Sequence, residues 1–237
     1  MNFFLYSVAG AIVIVVASFL HGDRDKYPQV VLAVCFAVFA LLINIPQSIT
    51  FKLHPHTYDM VFYRLDLALH LDPLVLCRFV LSRNWLSRAL AFCYEVLPLV
   101  AATLYSFERS RVLITAAAIA PAGALIGYNL FPAVGPAHAF AGFPWEPARM
   151  LPVVEGVARD CMPSMHLGWA LILLWNVKHP ILKAAAWIFV GLQVLATVGL
   201  GEHYYIDLIA AVPFSRAFQI LAMKYSPPTP RAPKAIY

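Results

Sequence analysis

Long apolar runs separated by short polar turns make up the pattern of this chain. Seven such runs can be marked, at about 2–20, 29–46, 88–107, 111–131, 164–178, 183–200 and 204–223. Most approach the roughly 20 residues a helix needs to cross a hydrocarbon core about 30 Å thick. The turns "HGDRDKY" at 21–27, "ERSR" at 108–111 and "KHPILK" at 178–183 join several of them. Two longer connections, 47–87 and 132–163, hold much of the polar inventory. In the first, "RLDLALHLD" at 64–72 alternates with period two, nominally a strand pattern. A lone strand beside lipid leaves its backbone groups unsatisfied, which is costly. The membrane setting therefore predicts an interfacial or re-entrant helical segment there, with Asp72-Pro73 opening a short helix. The expected fold class is all-α, a polytopic transmembrane helical bundle. A single integral-membrane domain is expected over 1–225, followed by a Pro-rich tail, 226–237, that reads as disordered.

Composition supports this class. Hydrophobic residues make up 62% of the chain and charged ones 12%, about half the charge of an average soluble domain. The net charge of +5 fits Lys and Arg sorted into loops by insertion bias. No basic cluster interleaved with exposed aromatics points to nucleic acid, which is excluded as a partner. If all seven runs cross, both long connections share one face, and the short turns carry the denser Lys and Arg on the other. That bias puts the long connections on the extracytoplasmic side of a plasma or inner membrane. The run 2–20 has no positively charged leader and is read as a retained span. Cys77 and Cys161 both fall in the long connections, so a disulfide between them is open if that face is oxidising. Nothing in the pattern fixes an oligomeric state.

Two histidines carry the candidate chemistry. His166 sits in "RDCMPSMHLGW", at the start of the fifth run, and His203 lies 37 residues downstream in "GEHYYID", at the start of the seventh. The fifth run leaves a face and the sixth returns to it, so both histidines belong on the same side of the membrane. His203 and Asp207 are four apart, hence on one helix face. A carboxylate on one ring nitrogen sets the tautomer and leaves the other nitrogen free to attack. Pro163 suits a first helical turn, and Ser164 with nearby backbone N–H groups forms a seat for an anion. Arg159 and Arg149 in the preceding loop can add charge-assisted bonds, although Arg159 can also pair with Glu155, four residues away, as a surface bridge of little worth. Two histidines and one Asp with no further ligand spacing make a poor zinc case, so no metal and no cofactor is expected.

"CMPSMH" followed by "HYYID" resembles the signatures of the type 2 phosphatidic acid phosphatase superfamily. The likeness is closest to the branch containing inositol phosphorylceramide synthase and sphingomyelin synthase, with "YNLFPAVGP", Tyr128 to Pro136, as the aromatic-Pro block. The resemblance implies six core helices, here with one additional N-terminal span, and a metal-independent phosphoryl transfer through a phosphohistidine. It makes His203 the nucleophile, Asp207 its orienter, His166 the general acid, and Ser164 a phosphate contact, with Tyr128 beside the substrate. The expected partners are a lipid substrate in the bilayer and a polar acceptor alcohol. Water as acceptor makes the same site a lipid phosphate phosphatase.

The chain departs from the family pattern where phosphate-clamping cations usually stand. There is no Lys-x(6)-Arg-Pro, Thr197 stands where an Arg is expected, and Gly135 to Ala137 replace Pro-Pro-Arg. Three readings stay open: Arg159 and Arg149 substitute, affinity is low, or the substrate differs. Outside this enzyme class, His166, His203 and Asp207 can serve as a proton relay in a carrier, though no internal repeat supports one. A catalytically dead scaffold keeping the fold is a further alternative.

Overall fold

Helices account for nearly all regular structure in the computed structural model, which describes residues 3–20, 44–146, 148–151 and 156–225. In chain order these are α1 (Phe3–Leu20), α2 (Asn44–Leu53), α3 (Asp59–Ala68), α4 (Pro73–Leu81), α5 (Asn84–Glu95), α6 (Leu97–Glu108), α7 (Arg111–Leu130), α8 (Pro136–Ala139), α9 (Met165–Asn176), α10 (Pro180–Gly199) and α11 (Tyr205–Tyr225). Among the described residues the β pairing is an isolated Phe140–Met150 bridge. The molecule is an all-α polytopic bundle. Helices α7, α10 and α11 are long and apolar enough to span a membrane, and α5 with α6 forms a fourth span if their bent pair counts as one.

Three expectations are refined by the structure. The run 88–107 is not one straight span: α5 and α6 meet at Val96 with a bend of 51°. Pro98, early in α6, contributes no N–H. The period-two stretch 64–72 forms no strand: 64–68 is the last part of α3, and 69–72 is the connection to α4. Asp59–Ala68 ends in a turn, Asp72 caps α4 by accepting the Leu74 N–H at 2.9 Å, and Pro73 opens that helix. Pro163 is not in the first turn of the fifth run's helix: Ser164 is the N-cap of α9, and Pro163 precedes it. The run 29–46 lies almost wholly outside the described residues, as do Glu155 and the tail 226–237.

Helix α9 is the axis of the bundle. Leu167, Gly168, Ala170, Leu171, Ile172, Leu173 and Leu174 are all buried. A helix apolar on every side belongs in an interior, and α9 packs against α6, α7, α10 and α11. At 12 residues it is only about 18 Å long, so the chain entering it, not helix, fills one end of the bundle. Outward faces stay apolar: Ile181, Trp187 and Ile188 on α10 and Ile209, Val212 and Ile220 on α11 are exposed, which suits lipid contact. Inside, a polar network links three helices. Asn176 donates to Gln219 Oε1 at 2.9 Å and accepts from the Ser110 hydroxyl at 3.0 Å, tying α9 to α11 and to the start of α7.

The first long connection holds the site together from outside. Two carboxylates of α3 are fully buried. Asp66 accepts the N–H groups of Tyr205 and Ile206 at 2.8 Å each, a cap for α11 supplied from 139 residues away. Asp59 Oδ1 accepts the Gly135 N–H at 2.9 Å, the Val134 N–H at 3.1 Å and the Tyr204 hydroxyl at 3.0 Å.

Candidate active site

Ser164 begins the local order that places His166. Its Oγ accepts the Leu167 N–H at 3.5 Å, and its own N–H donates to the Asp207 carbonyl at 3.4 Å, so the starts of α9 and α11 are joined. His166 therefore emerges in the first turn of α9, where its ring stacks on Tyr94 of α5 with centroids 3.6 Å apart. Gly127 of α7 permits the approach of the preceding loop. A Cβ there would lie 2.7 Å from Pro163 Cδ and 2.9 Å from the Met162 carbonyl.

His203 is set by the end of α10. The Thr197 carbonyl accepts both the Glu202 and His203 N–H groups at 3.0 Å. The position where the family pattern expects an Arg thus acts here through its backbone. Gly135, in the "FPAVGP" loop, packs on the same turn with φ of 85°, and a Cβ there would fall 2.3 Å from the Glu202 carbonyl oxygen. Only glycine fits both that conformation and that contact.

These constraints bring the two imidazoles to a centroid separation of 6.2 Å. Asp207 lies behind His203, with Oδ2 3.5 Å from Nδ1. That is long for a hydrogen bond, because the same oxygen accepts the Cys161 thiol at 2.6 Å and the Tyr204 N–H at 3.0 Å. Nδ1 of His203 thus faces Asp207 and Cys161, which leaves Nε2 for the chamber that His203 lines. That chamber, of about 90 Å³, is also lined by His166, Tyr94, Tyr128, Asp160 and Glu202. It adjoins a larger cavity of about 530 Å³ walled by α5, α7, α9 and the 156–160 loop. His166, His203, Asp207, Ser164 and Tyr128 are therefore gathered at one place.

The two arginines are not. Arg159 is 1% exposed, and its guanidinium donates to the carbonyls of His54 at 3.0 Å and Val157 at 2.7 Å, while its N–H donates to Thr50 Oγ1. It anchors the loop to α2. Arg149 is exposed, and neither residue lines either cavity. The expectation that they take the place of the missing phosphate cations is corrected, because backbone carbonyls hold the Arg159 guanidinium. The possible Cys77–Cys161 disulfide is likewise absent: both are free and buried, and Cys77 Sγ donates to the Val198 carbonyl.

Cys161, His203 and Asp207 each bring one ligand-type atom to within 4.8 Å of the others. A tetrahedral zinc would hold sulfur and oxygen ligand atoms about 3.5 Å apart. The 2.6 Å from Cys161 Sγ to Asp207 Oδ2 is instead a thiol–carboxylate hydrogen bond. Burial pushes the Cys161 thiol well above its ordinary range, and the neighbouring Asp207 charge adds to this, so it remains a donor.

Sequence reasoning missed Tyr94, Asp160, Cys161, Glu202 and His138. His138 Nε2 lies 3.5 Å from Glu202 Oε2, and this partner raises the imidazole above its usual range. Asp160 is pushed up by burial. Polar residues beside a motif in "RDC" and "GEH" were the available signal; Tyr94, inside an apolar run, offered none.

A family model described as the PAP2 superfamily matches residues 61–221, more than half of the chain. The chain belongs to the PAP2 superfamily. No curated protein and no solved structure matches it. The matched range begins inside α3 and ends in α11, so it contains both histidines and the cavities between them. PAP2 superfamily membership supports phosphatase-type chemistry on lipid phosphates, performed by a membrane protein.

Proposed function

We propose that this chain is a lipid phosphotransferase that works through a phosphohistidine on His203. The observation that carries the reading is the 6.2 Å spacing of His166 and His203 across one chamber, with Asp207 on the far side of His203. His203 Nε2 attacks phosphorus, forming a P–N bond, while the bond from phosphorus to the lipid oxygen breaks. His166 gives its proton to that leaving oxygen, and Asp207 steadies the positive charge on His203 through Nδ1–H. In the second half an acceptor alcohol attacks phosphorus, His166 takes its proton, and the P–N bond breaks. Water in place of the alcohol gives hydrolysis by the same steps. Tyr94, stacked flat on His166, fixes the ring that must move the proton. Catalytic hydrogen bonds are often loose until the Michaelis complex forms, which accommodates the 3.5 Å between His203 and Asp207.

The branch containing inositol phosphorylceramide synthase and sphingomyelin synthase remains our reading of "HYYID" and the Phe-Pro block, and it favours an alcohol as acceptor. We place the active site on the extracytoplasmic face, supported by the Lys and Arg bias of the short turns. The test is incubation of purified protein with phosphorus-labelled phospholipid, with and without an acceptor alcohol and with chelator present. The expected result is His203-dependent loss of the head group and an acid-labile phosphoprotein. His203→Ala with undiminished activity sinks the proposal.

A further inference from the structure

Three donors crowd one oxygen of Asp207. Oδ2 accepts the Cys161 thiol at 2.6 Å and the Tyr204 N–H at 3.0 Å, and it faces His203 Nδ1 at 3.5 Å. Oδ1 is buried and accepts no hydrogen bond among the described residues, so the direction of the carboxylate is set at Oδ2 alone. A buried carboxylate oxygen without a donor is unfavourable, and the soft torsion about the Cβ–Cγ bond is the easiest way for it to find one. Any such turn carries Oδ2 away from His203. The thiol opposes it from the side of the imidazole, since its sulfur stands 3.4 Å from Nδ1 as well as 2.6 Å from the carboxylate. Its place is fixed by the chain entering α9. There the Cys161 N–H donates to the Ala133 carbonyl at 3.3 Å and the Ser164 N–H to the Asp207 carbonyl at 3.4 Å. Burial keeps the sulfur protonated, so it remains a donor.

We propose that Cys161 is a positioning residue for the phosphotransfer step, holding Asp207 Oδ2 in line with His203 Nδ1 while Nε2 attacks phosphorus. This role rests on the phosphohistidine reading above and adds a third member to its His–Asp pair. Neither Cys161 nor Asp207 lines either cavity, so the thiol acts through the carboxylate and not on the substrate. It keeps its proton throughout. As the P–N bond forms, the imidazole becomes positively charged and Nδ1–H draws closer to Oδ2. The thiol then shares that oxygen with a stronger, charge-assisted donor, and its own hydrogen bond weakens. A thiol is a weak donor, which lets it steady the carboxylate at rest without outcompeting the charged ring for it.

The experiment uses the full chain in maltoside micelles. Cys161→Ala, which removes the donor, is expected to lower kcat about tenfold while KM for the phospholipid stays within about twofold. Cys161→Ser also shrinks the side chain but keeps a donor, so it should recover most of that kcat. A loss shared equally by both variants marks the sulfur as packing and overturns the proposal, as does a Cys161→Ala that turns over like wild type. The wild-type chain supplies a second measurement that needs no variant to fold. Infrared difference spectra in the S–H stretching region are taken with and without orthovanadate, a phosphate analogue that can bond to a nucleophilic histidine nitrogen. A thiol sharing Oδ2 with Nδ1–H should show its band move to higher frequency when vanadate binds. Bound vanadate with an unmoved S–H band overturns the proposal. The two failures are distinguishable. A fully active His203→Ala defeats the phosphohistidine and this role with it, whereas His203-dependent turnover indifferent to Cys161→Ala defeats this role alone.

Discussion

Replacing Asp59 by Ala removes one acceptor from three buried donors at once. Asp59 Oδ1 takes the Gly135 N–H at 2.9 Å, the Val134 N–H at 3.1 Å and the Tyr204 hydroxyl at 3.0 Å, and all four residues are buried. A donor left unsatisfied in an interior costs about 1–3 kcal/mol. Three of them sum to more than the protein need lose, because the "FPAVGP" loop can shift and admit water, so a net loss of about 4 kcal/mol is expected. That is a large share of an ordinary folding stability of about 5–15 kcal/mol. Asp59→Asn should behave differently. Burial already pushes this carboxyl above its usual range, so loss of the charge removes a cost. The amide oxygen can occupy the Oδ1 position and keep the three donors, which limits the loss to about 1 kcal/mol. Denaturant unfolding in mixed micelles, followed by tryptophan fluorescence, measures both variants against the wild-type chain. Turnover should fall with Ala and persist with Asn, since Tyr204 adjoins His203. The reasoning fails if Ala lies within about 1 kcal/mol of wild type, or if Asn is as damaging as Ala.

Two further outcomes follow from the packing around the site. Gly135→Ala should cost at least about 2 kcal/mol and most of the activity, because the new Cβ would lie 2.3 Å from the Glu202 carbonyl oxygen at a φ of 85°; thermal unfolding and head-group release on one preparation check this. Asp66, buried beneath the first turn of α11, is raised by desolvation from 3.8 to about 6. The folded chain therefore holds a proton there that the unfolded chain releases, and this contribution to stability is present near pH 4 and is lost as pH rises through about 6. Melting temperatures of wild type and Asp66→Asn, compared from pH 4 to 7, should diverge with wild type falling behind; a constant difference counts against the assignment.

Several features are legible in the sequence. The 64–72 stretch shows how a misleading period can be set right, since lipid forbids an isolated strand whatever the alternation suggests. The Asp72-Pro73 helix start is a local device and was readable as such. The break at Val96 was not, because the apolar run continues through it and only the packing of α5 on α10 and of α6 on α1 and α9 requires two directions. Arg159 shows the opposite error. Its place in "RDCMPSMH" suggested a phosphate ligand, while its side chain goes to the carbonyls of His54 and Val157.

The sequence by itself determined the solvent of this protein, its helical class and the pairing of His166 with His203. Run length and apolar content act within a few turns, and the number of crossings decides which ends share a face. Tertiary structure alone decided what surrounds that pair: Tyr94 on one ring, Cys161 on the Asp207 oxygen, and carboxylates in place of arginines along the cavity. It also decided that α3 ties the site down, through a Tyr204–Asp59 bond between residues 145 apart. Contacts of that kind depend on which buried donor finds which acceptor when separate elements close together, and no periodicity along the chain encodes the meeting.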